Sequence, residues 1–158
     1  NEDLRMNINY DINPDTLLVG KHFHEKRVVV FGLPGAFTPT CSTKQLPGYE
    51  EHYSTILDKG IDEVYCTSVN DRFIMDAWFK EQGIENVKIL DDGTGQFARR
   101  MGMLVTKDNL GFGLRSWRYA AVINNGVIEV FLPEDGICDE CAIDPNEQST
   151  PENLLTQL

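Results

Sequence analysis

Four apolar residues in a row, Val28, Val29, Val30 and Phe31, stand between Arg27 and Gly32 with no polar residue among them. A strand with one face in water alternates polar with apolar side chains, so an unbroken run predicts a strand buried on both faces, as in a parallel sheet covered by helices. Leu33 extends the run, and then the chain turns abruptly into Pro34-Gly35-Ala36-Phe37-Thr38-Pro39-Thr40-Cys41. Two prolines end any strand pairing here, because each lacks an N–H to donate to the ladder. The segment "STKQLPGYEEHYSTILDKG" then reads as a helix stopping at Gly60, with Pro47 predicting a kink or break near Leu46.

The same strand-then-helix unit recurs. "EVYCTSVN" reads as a second strand, and Asn70 or Asp71 can cap the helix "RFIMDAWFKEQG", where Phe73, Ala77 and Trp78 recur at helical spacing. "VKIL" gives a third strand and "GQFARRMG" a short third helix, an order that implies right-handed parallel crossovers. The rhythm changes at "RYAAVIN" and "VIEVFL", which flank Asn124, Asn125 and Gly126 and predict an antiparallel hairpin. Thr150 as N-cap and Pro151 in the first turn open a closing helix. These units describe an α/β protein with a mixed central β-sheet flanked by helices, the outline of a thioredoxin-like fold. Its 158 residues suit one domain spanning 1–158.

Charge narrows the partners. The net charge of −11 repels phosphate backbones and anionic lipid surfaces, and Lys and Arg form no patch, so neither nucleic acid nor membrane is expected as a partner. No apolar run approaches the ~20 residues of a membrane span. The cysteines at 41, 66, 138 and 141 are too few and too unevenly spaced for the disulfide framework of a small secreted domain. They point to reactive or metal-binding thiols and a cytoplasmic location, although a chain that starts at Asn1 rather than Met leaves room for a removed leader and an organelle address.

Reactive groups in such sheets gather where a strand's carboxyl end meets the next helix, and Cys41 falls there. Unpaired N–H groups and the positive dipole end of a helix N-terminus favour thiolate over thiol. Thr38, three residues earlier, can bring its hydroxyl beside the sulfur. Ionisation by itself is a modest aid to catalysis. A thiolate attacking a peroxide also needs donors for the charge developing on the leaving oxygen, which backbone N–H groups, Thr38 and an arginine from "LRSWRY" can supply. Arg115 and Arg118 of that segment are expected to enter the hairpin strand beside the first strand.

The segment "PGAFTPTC" resembles the peroxiredoxin active-site pattern of proline, three residues, threonine, two residues, cysteine, filled by Pro34, Thr38 and Cys41. Together with "SVND" and "RSWRY" it is similar to the peroxiredoxin-five branch, from about Arg27 to Pro133. The resemblance implies a thiol peroxidase that reduces hydrogen peroxide and organic hydroperoxides. Cys41 would become a sulfenic acid, Thr38 would orient the peroxide, Pro34 would shield the sulfur, Arg118 would polarise sulfur and peroxide, and Arg115 would support it. It also implies a thiol reductant, glutathione with glutaredoxin or thioredoxin, no cofactor, and a homodimer formed through the surface around Cys41 and the third helix.

Other readings stand beside this one. Cys66, inside "VYCTSV", reads as a packed core thiol. Cys138 and Cys141 lie in the stretch 133–149, which has six acidic residues and no basic one; either cysteine could resolve an oxidised Cys41, as in some members of the branch, or the two could pair with each other or stay as surface thiols. Zinc held by His22, His24, Cys138 and Cys141 would need the two segments to meet. A redox sensor or binding module of the same fold would oxidise Cys41 with little turnover, and a disulfide oxidoreductase would work through Cys138 and Cys141.

Overall fold

A computed structural model describes residues 22–158. Strand β1 (Arg27–Gly32) lies at the centre of a five-stranded sheet. Beside it run β2 (Glu63–Ser68) and then β3 (Lys88–Asp91), both parallel; on its other side are β6 (Tyr119–Asn124) and then β7 (Val127–Pro133), antiparallel. The unbroken apolar runs fit this placement: Val28 to Phe31 in β1, and Val64 to Cys66 in β2, are fully or almost fully buried because helices or loops cover both faces. Val29, Phe31 and Leu33 pack on one face with Cys41, Leu46, Tyr49 and Trp78, while Val28 and Val30 pack on the other with Tyr65, Phe97, Trp117 and Cys141. Asn125 and Gly126 turn the β6–β7 hairpin with φ of 49° and 82°, the left-handed pair that matches strand twist.

The helices depart from expectation in instructive ways. The chain after the proline turn is wound as a π-helix over Cys41–Gln45, continues as α1 (Leu46–Glu51), breaks at His52, and resumes as α2 (Tyr53–Leu57). Pro47 therefore causes no break at Leu46: it sits near the N-terminus of α1, where the wide π turns before it have already changed the hydrogen-bond pattern. In α3 (Arg72–Gln82), capped by the Asp71 carboxylate accepting from Ile74 N–H, the buried residues are Met75, Trp78 and Phe79. Phe73 and Ala77 face outward, with Phe73 85% exposed, so the apolar face runs at i, i+3, i+4 from Met75. After β3 come α4 (Gln96–Arg100), a two-stranded sheet of β4 (Leu104–Thr106) and β5 (Leu114–Ser116) that the sequence pattern did not reveal, and finally α5 (Pro151–Leu155), capped by Thr150 as expected.

Register fixes what stands above the end of β1. Gly32 pairs with Tyr119, and a Cβ on Gly32 would come within 2.2 Å of the Tyr119 ring, so only glycine lets the ring lie there. That pairing places the residue before Tyr119, Arg118, just past the end of β1, where the proline turn begins.

Candidate active site

The turn after β1 is tied down on its β2 side. Leu33 N–H donates to Thr67 O at 3.1 Å, and Ala36 N–H to Asn70 Oδ1 at 3.0 Å, an oxygen that also accepts from Ser68 Oγ at 2.6 Å. Phe37 takes a left-handed φ of 64° and leaves its ring half exposed. Helical bonding starts with Ser42 N–H to Thr38 O at 3.0 Å, so Cys41 occupies the first turn as expected. Trp78 Nε1 donates to Ser42 Oγ at 2.9 Å and fastens this turn to α3.

Cys41 is fully buried, and its sulfur accepts a hydrogen bond from Arg118 Nη1 at 3.4 Å. The guanidinium, 1% exposed, is gripped on every edge: Nη1 also donates to Gln45 Oε1, Nε to Pro145 O at 3.1 Å, and Nη2 to Asp144 Oδ1 at 2.6 Å. Burial by itself disfavours the charge, but Cys41 and Asp144 more than offset this and raise the Arg118 pKa. The result is a fixed cation aimed at one sulfur, in a site sheltered from water where its field is little screened.

Arg115 differs from expectation in both place and partner. It lies on β5 rather than on the hairpin, and donates from Nη1 to Pro34 O at 3.1 Å and from Nε to Phe112 O at 3.2 Å, with its guanidinium 5.0 Å above the Phe112 ring. Burial lowers its pKa, a change only partly countered by the pull of Cys41. A Cβ on Gly35 would meet Arg115 Nη1 at 2.5 Å, so this glycine makes room for the arginine against the turn. The Thr38 hydroxyl donates to Gly35 O at 2.7 Å, not to the sulfur: the turn's own carbonyl is the nearer acceptor. Pro34 is buried beneath Arg115. Gln45 and Asp144 are members of the site that the sequence did not reveal. Gln45 could have been found, since it lies one helical turn after Cys41; Asp144 could not, as nothing local marks it among its acidic neighbours.

Among the described residues, no cysteine other than Cys41 bonds to Arg118. Cys66 is fully buried in β2, and burial, then the proximity of Cys41, pushes its thiol well above the ordinary range. Of the alternatives open for Cys138 and Cys141, the structure shows the internal pair: they form a disulfide, with Cα atoms 5.4 Å apart. Cys138 is exposed, whereas Cys141 packs on the sheet face opposite Cys41. His22 Nδ1 lies 3.1 Å from Tyr65 Oη, and among the described residues the histidines and this cysteine pair form no metal-binding group. Among the same residues no helix is long and apolar enough to cross a membrane.

Comparison with known proteins places this geometry. Residues 10–136 match the Redoxin family model. The chain is 61% identical over 137 residues to a peroxiredoxin from Rhizobium etli, covering 87% of this chain and 76% of the relative. Its fold superposes with a TM-score of 0.85 on the Plasmodium falciparum antioxidant protein, described as a 1-Cys peroxiredoxin, at 37% identity over 87% of this chain and 81% of that one. Reduced Prx3 from Vibrio vulnificus in complex with hydrogen peroxide superposes with a TM-score of 0.80 at 39% identity, covering 89% and 86%. A sheet, a turn and a sequence that agree over most of the chain leave one assignment: the chain belongs to the peroxiredoxins, thiol peroxidases of the thioredoxin-like superfamily.

Proposed function

We propose that Cys41 is the thiol that peroxide oxidises, and the observation that carries this is Arg118 Nη1 at 3.4 Å from its sulfur. The Cys41 thiolate attacks one peroxide oxygen, the O–O bond breaks, the sulfur becomes a sulfenic acid, and the departing oxygen leaves as water or alcohol after taking a proton. Arg118 stabilises the anion before attack and the charge spreading over the oxygens during it. Thr38 and Pro34 frame the turn through which peroxide reaches the sulfur, and Arg115 holds that turn by its bond to the Pro34 carbonyl. Because Cys41 is fully buried, the turn must yield for the oxidant to arrive. Hydrogen peroxide, little larger than water, asks for the least opening.

Recycling in this reading uses external thiols. One thiol condenses with the sulfenic acid, releasing water and forming a mixed disulfide; a second thiol, from glutathione with glutaredoxin or from thioredoxin, displaces it and regenerates Cys41. What supports this over an internal resolving cysteine is that Cys138 and Cys141 are joined to each other, with Cys141 on the far face of the sheet. Thiol-dependent peroxide consumption that is lost in Cys41→Ser is the test. Consumption that persists would remove Cys41 from the reaction.

The homodimer reading gains support from apolar side chains exposed around the site. Phe37 lies on the turn, Phe73 and Ile74 open α3 just past Asn70, and Leu110 and Leu114 flank the Phe112 that stacks on Arg115. The chain is expected to sediment as a dimer at micromolar concentration and Phe73→Glu as a monomer. A wild-type chain that sediments as a monomer throughout that range rules this assembly out.

A further inference from the structure

Glu134 takes no part in the reaction just described, yet it is a carboxylate only 2% exposed, just after β7. Four donors converge on it. Oε1 accepts from Glu147 N–H at 2.9 Å and Gln148 N–H at 3.0 Å, and Oε2 accepts from Ser149 N–H at 2.7 Å and Ser149 Oγ at 2.6 Å. Burial pushes its carboxyl pKa upward, but the Ser149 hydroxyl and the three backbone N–H groups outweigh that and hold it below the usual carboxylate value. Its backbone is clamped as well: Glu134 N–H donates to Arg118 O at 3.0 Å, and Trp117 Nε1 donates to Glu134 O at 2.8 Å.

One residue thus ties two ends together. Its main chain is bonded to Arg118, and its side chain draws residues 147–149 back to β7, closing the loop that carries Asp144 and Pro145. Those two residues hold Nη2 and Nε of the guanidinium that reaches Cys41. Only two residues separate Pro145 from Gln148, so the chain at 147–149 cannot move far from Glu134 without shifting the carbonyl on which Arg118 rests. A fully satisfied buried carboxylate is rigid, whereas one that loses donors leaves buried N–H groups unpaired.

We propose that Glu134 is a positioning residue for peroxide reduction, setting Arg118 against Cys41 by folding residues 144–149 around its carboxylate. This rests on the reading of Cys41 as the oxidised thiol. Displacing a charge-stabilising group by a fraction of an ångström slows chemistry, and a misplacement of about 1 Å can cost on the order of 100-fold.

The test separates the two halves of the cycle by measuring Cys41 oxidation by hydrogen peroxide in single turnover, and reduction of oxidised protein by thiol on its own. Glu134→Gln is expected to slow oxidation about tenfold while leaving reduction within about twofold. Ser149→Ala, which removes one donor and keeps the backbone bond, is expected to slow oxidation about threefold in a protein that melts at a somewhat lower temperature but is folded at the assay temperature. The loss from Glu134→Gln should largely vanish in an Arg118→Ala background, because both changes act through one guanidinium. Oxidation at the wild-type rate in folded Glu134→Gln or Ser149→Ala overturns the proposal, as does a loss that adds in full to that of Arg118→Ala. If Glu134→Gln does not fold, Ser149→Ala alone decides. Failure of the Cys41 reading shows itself separately, as peroxide consumption surviving in Cys41→Ser.

Discussion

Cys41→Ser is expected to lower thiol-dependent peroxide consumption by at least about 10³-fold, because a nucleophile is not replaced by the groups that assist it. Serine keeps the size and the hydrogen bond to Arg118, but a hydroxyl does not ionise near neutral pH and is not oxidised by peroxide. The fold should survive, since only one buried atom changes. Cys66→Ala is the matched control: that thiol is buried in β2 and pushed well above the ordinary thiol range by burial and by Cys41, so its loss should leave the rate close to wild type. A rate measured with glutathione or thioredoxin as electron donor checks both. If Cys66→Ala is the inactive variant, Cys66 in β2, not Cys41, is the oxidised thiol.

Arg118→Ala is the second large effect, expected to slow Cys41 oxidation by roughly 10²- to 10³-fold, the range for removing a preorganised charge-stabilising donor. It also costs stability. Gln45 Oε1 and Pro145 O lose their donor inside the protein, and Asp144 loses its ion pair, though it is half exposed and water can solvate it. Discounting that pair for solvent, the unpaired carbonyl and amide oxygens together cost about 2 kcal/mol. Arg118→Lys separates charge from geometry: one ammonium keeps the cation but cannot span Cys41, Gln45, Asp144 and Pro145 at once. It should recover part of the rate and little of the stability. Stopped-flow oxidation and thermal melts read these two quantities apart, and a wild-type oxidation rate in Arg118→Ala would remove the guanidinium from the mechanism.

The order of the elements was legible in the sequence because β1 and β2 are buried on both faces and leave unbroken apolar runs. The hairpin was legible through Asn125-Gly126, and Asp71 and Thr150 announced their helices by chemistry local to a cap. What was hidden depends on neighbours remote in sequence. Phe73 looks like a core residue until the packing of Met75, Trp78 and Phe79 against the sheet shows which side of α3 is inward. The short strands β4 and β5 have only three residues each, too few to show a period. For the same reason Arg115 looked like part of the hairpin strand.

At the site, Pro34, Thr38 and Cys41 could be read together because they share one turn. Arg118 became visible only through resemblance to a family, since its approach to Cys41 is set by the pairing of Gly32 with Tyr119 rather than by anything nearby in the chain. Asp144 and Glu134 lay concealed in a stretch of six acidic residues with nothing local to set them apart, yet one grips the arginine and the other is almost completely buried. Charge composition says what a segment repels; it says nothing about which of its carboxylates turns inward.

Peroxide oxygen must arrive at the Cys41 sulfur beside Arg118 for this chemistry to run. Adding one equivalent of hydrogen peroxide to the reduced-Cys41 protein in the presence of dimedone, then mapping the peptides by mass spectrometry, tests this most directly. The sulfenic-acid adduct is expected on Cys41 and nearly absent in Arg118→Ala at the same short time. An adduct on Cys66, or a Cys41 left unmodified while peroxide is consumed, would contradict it.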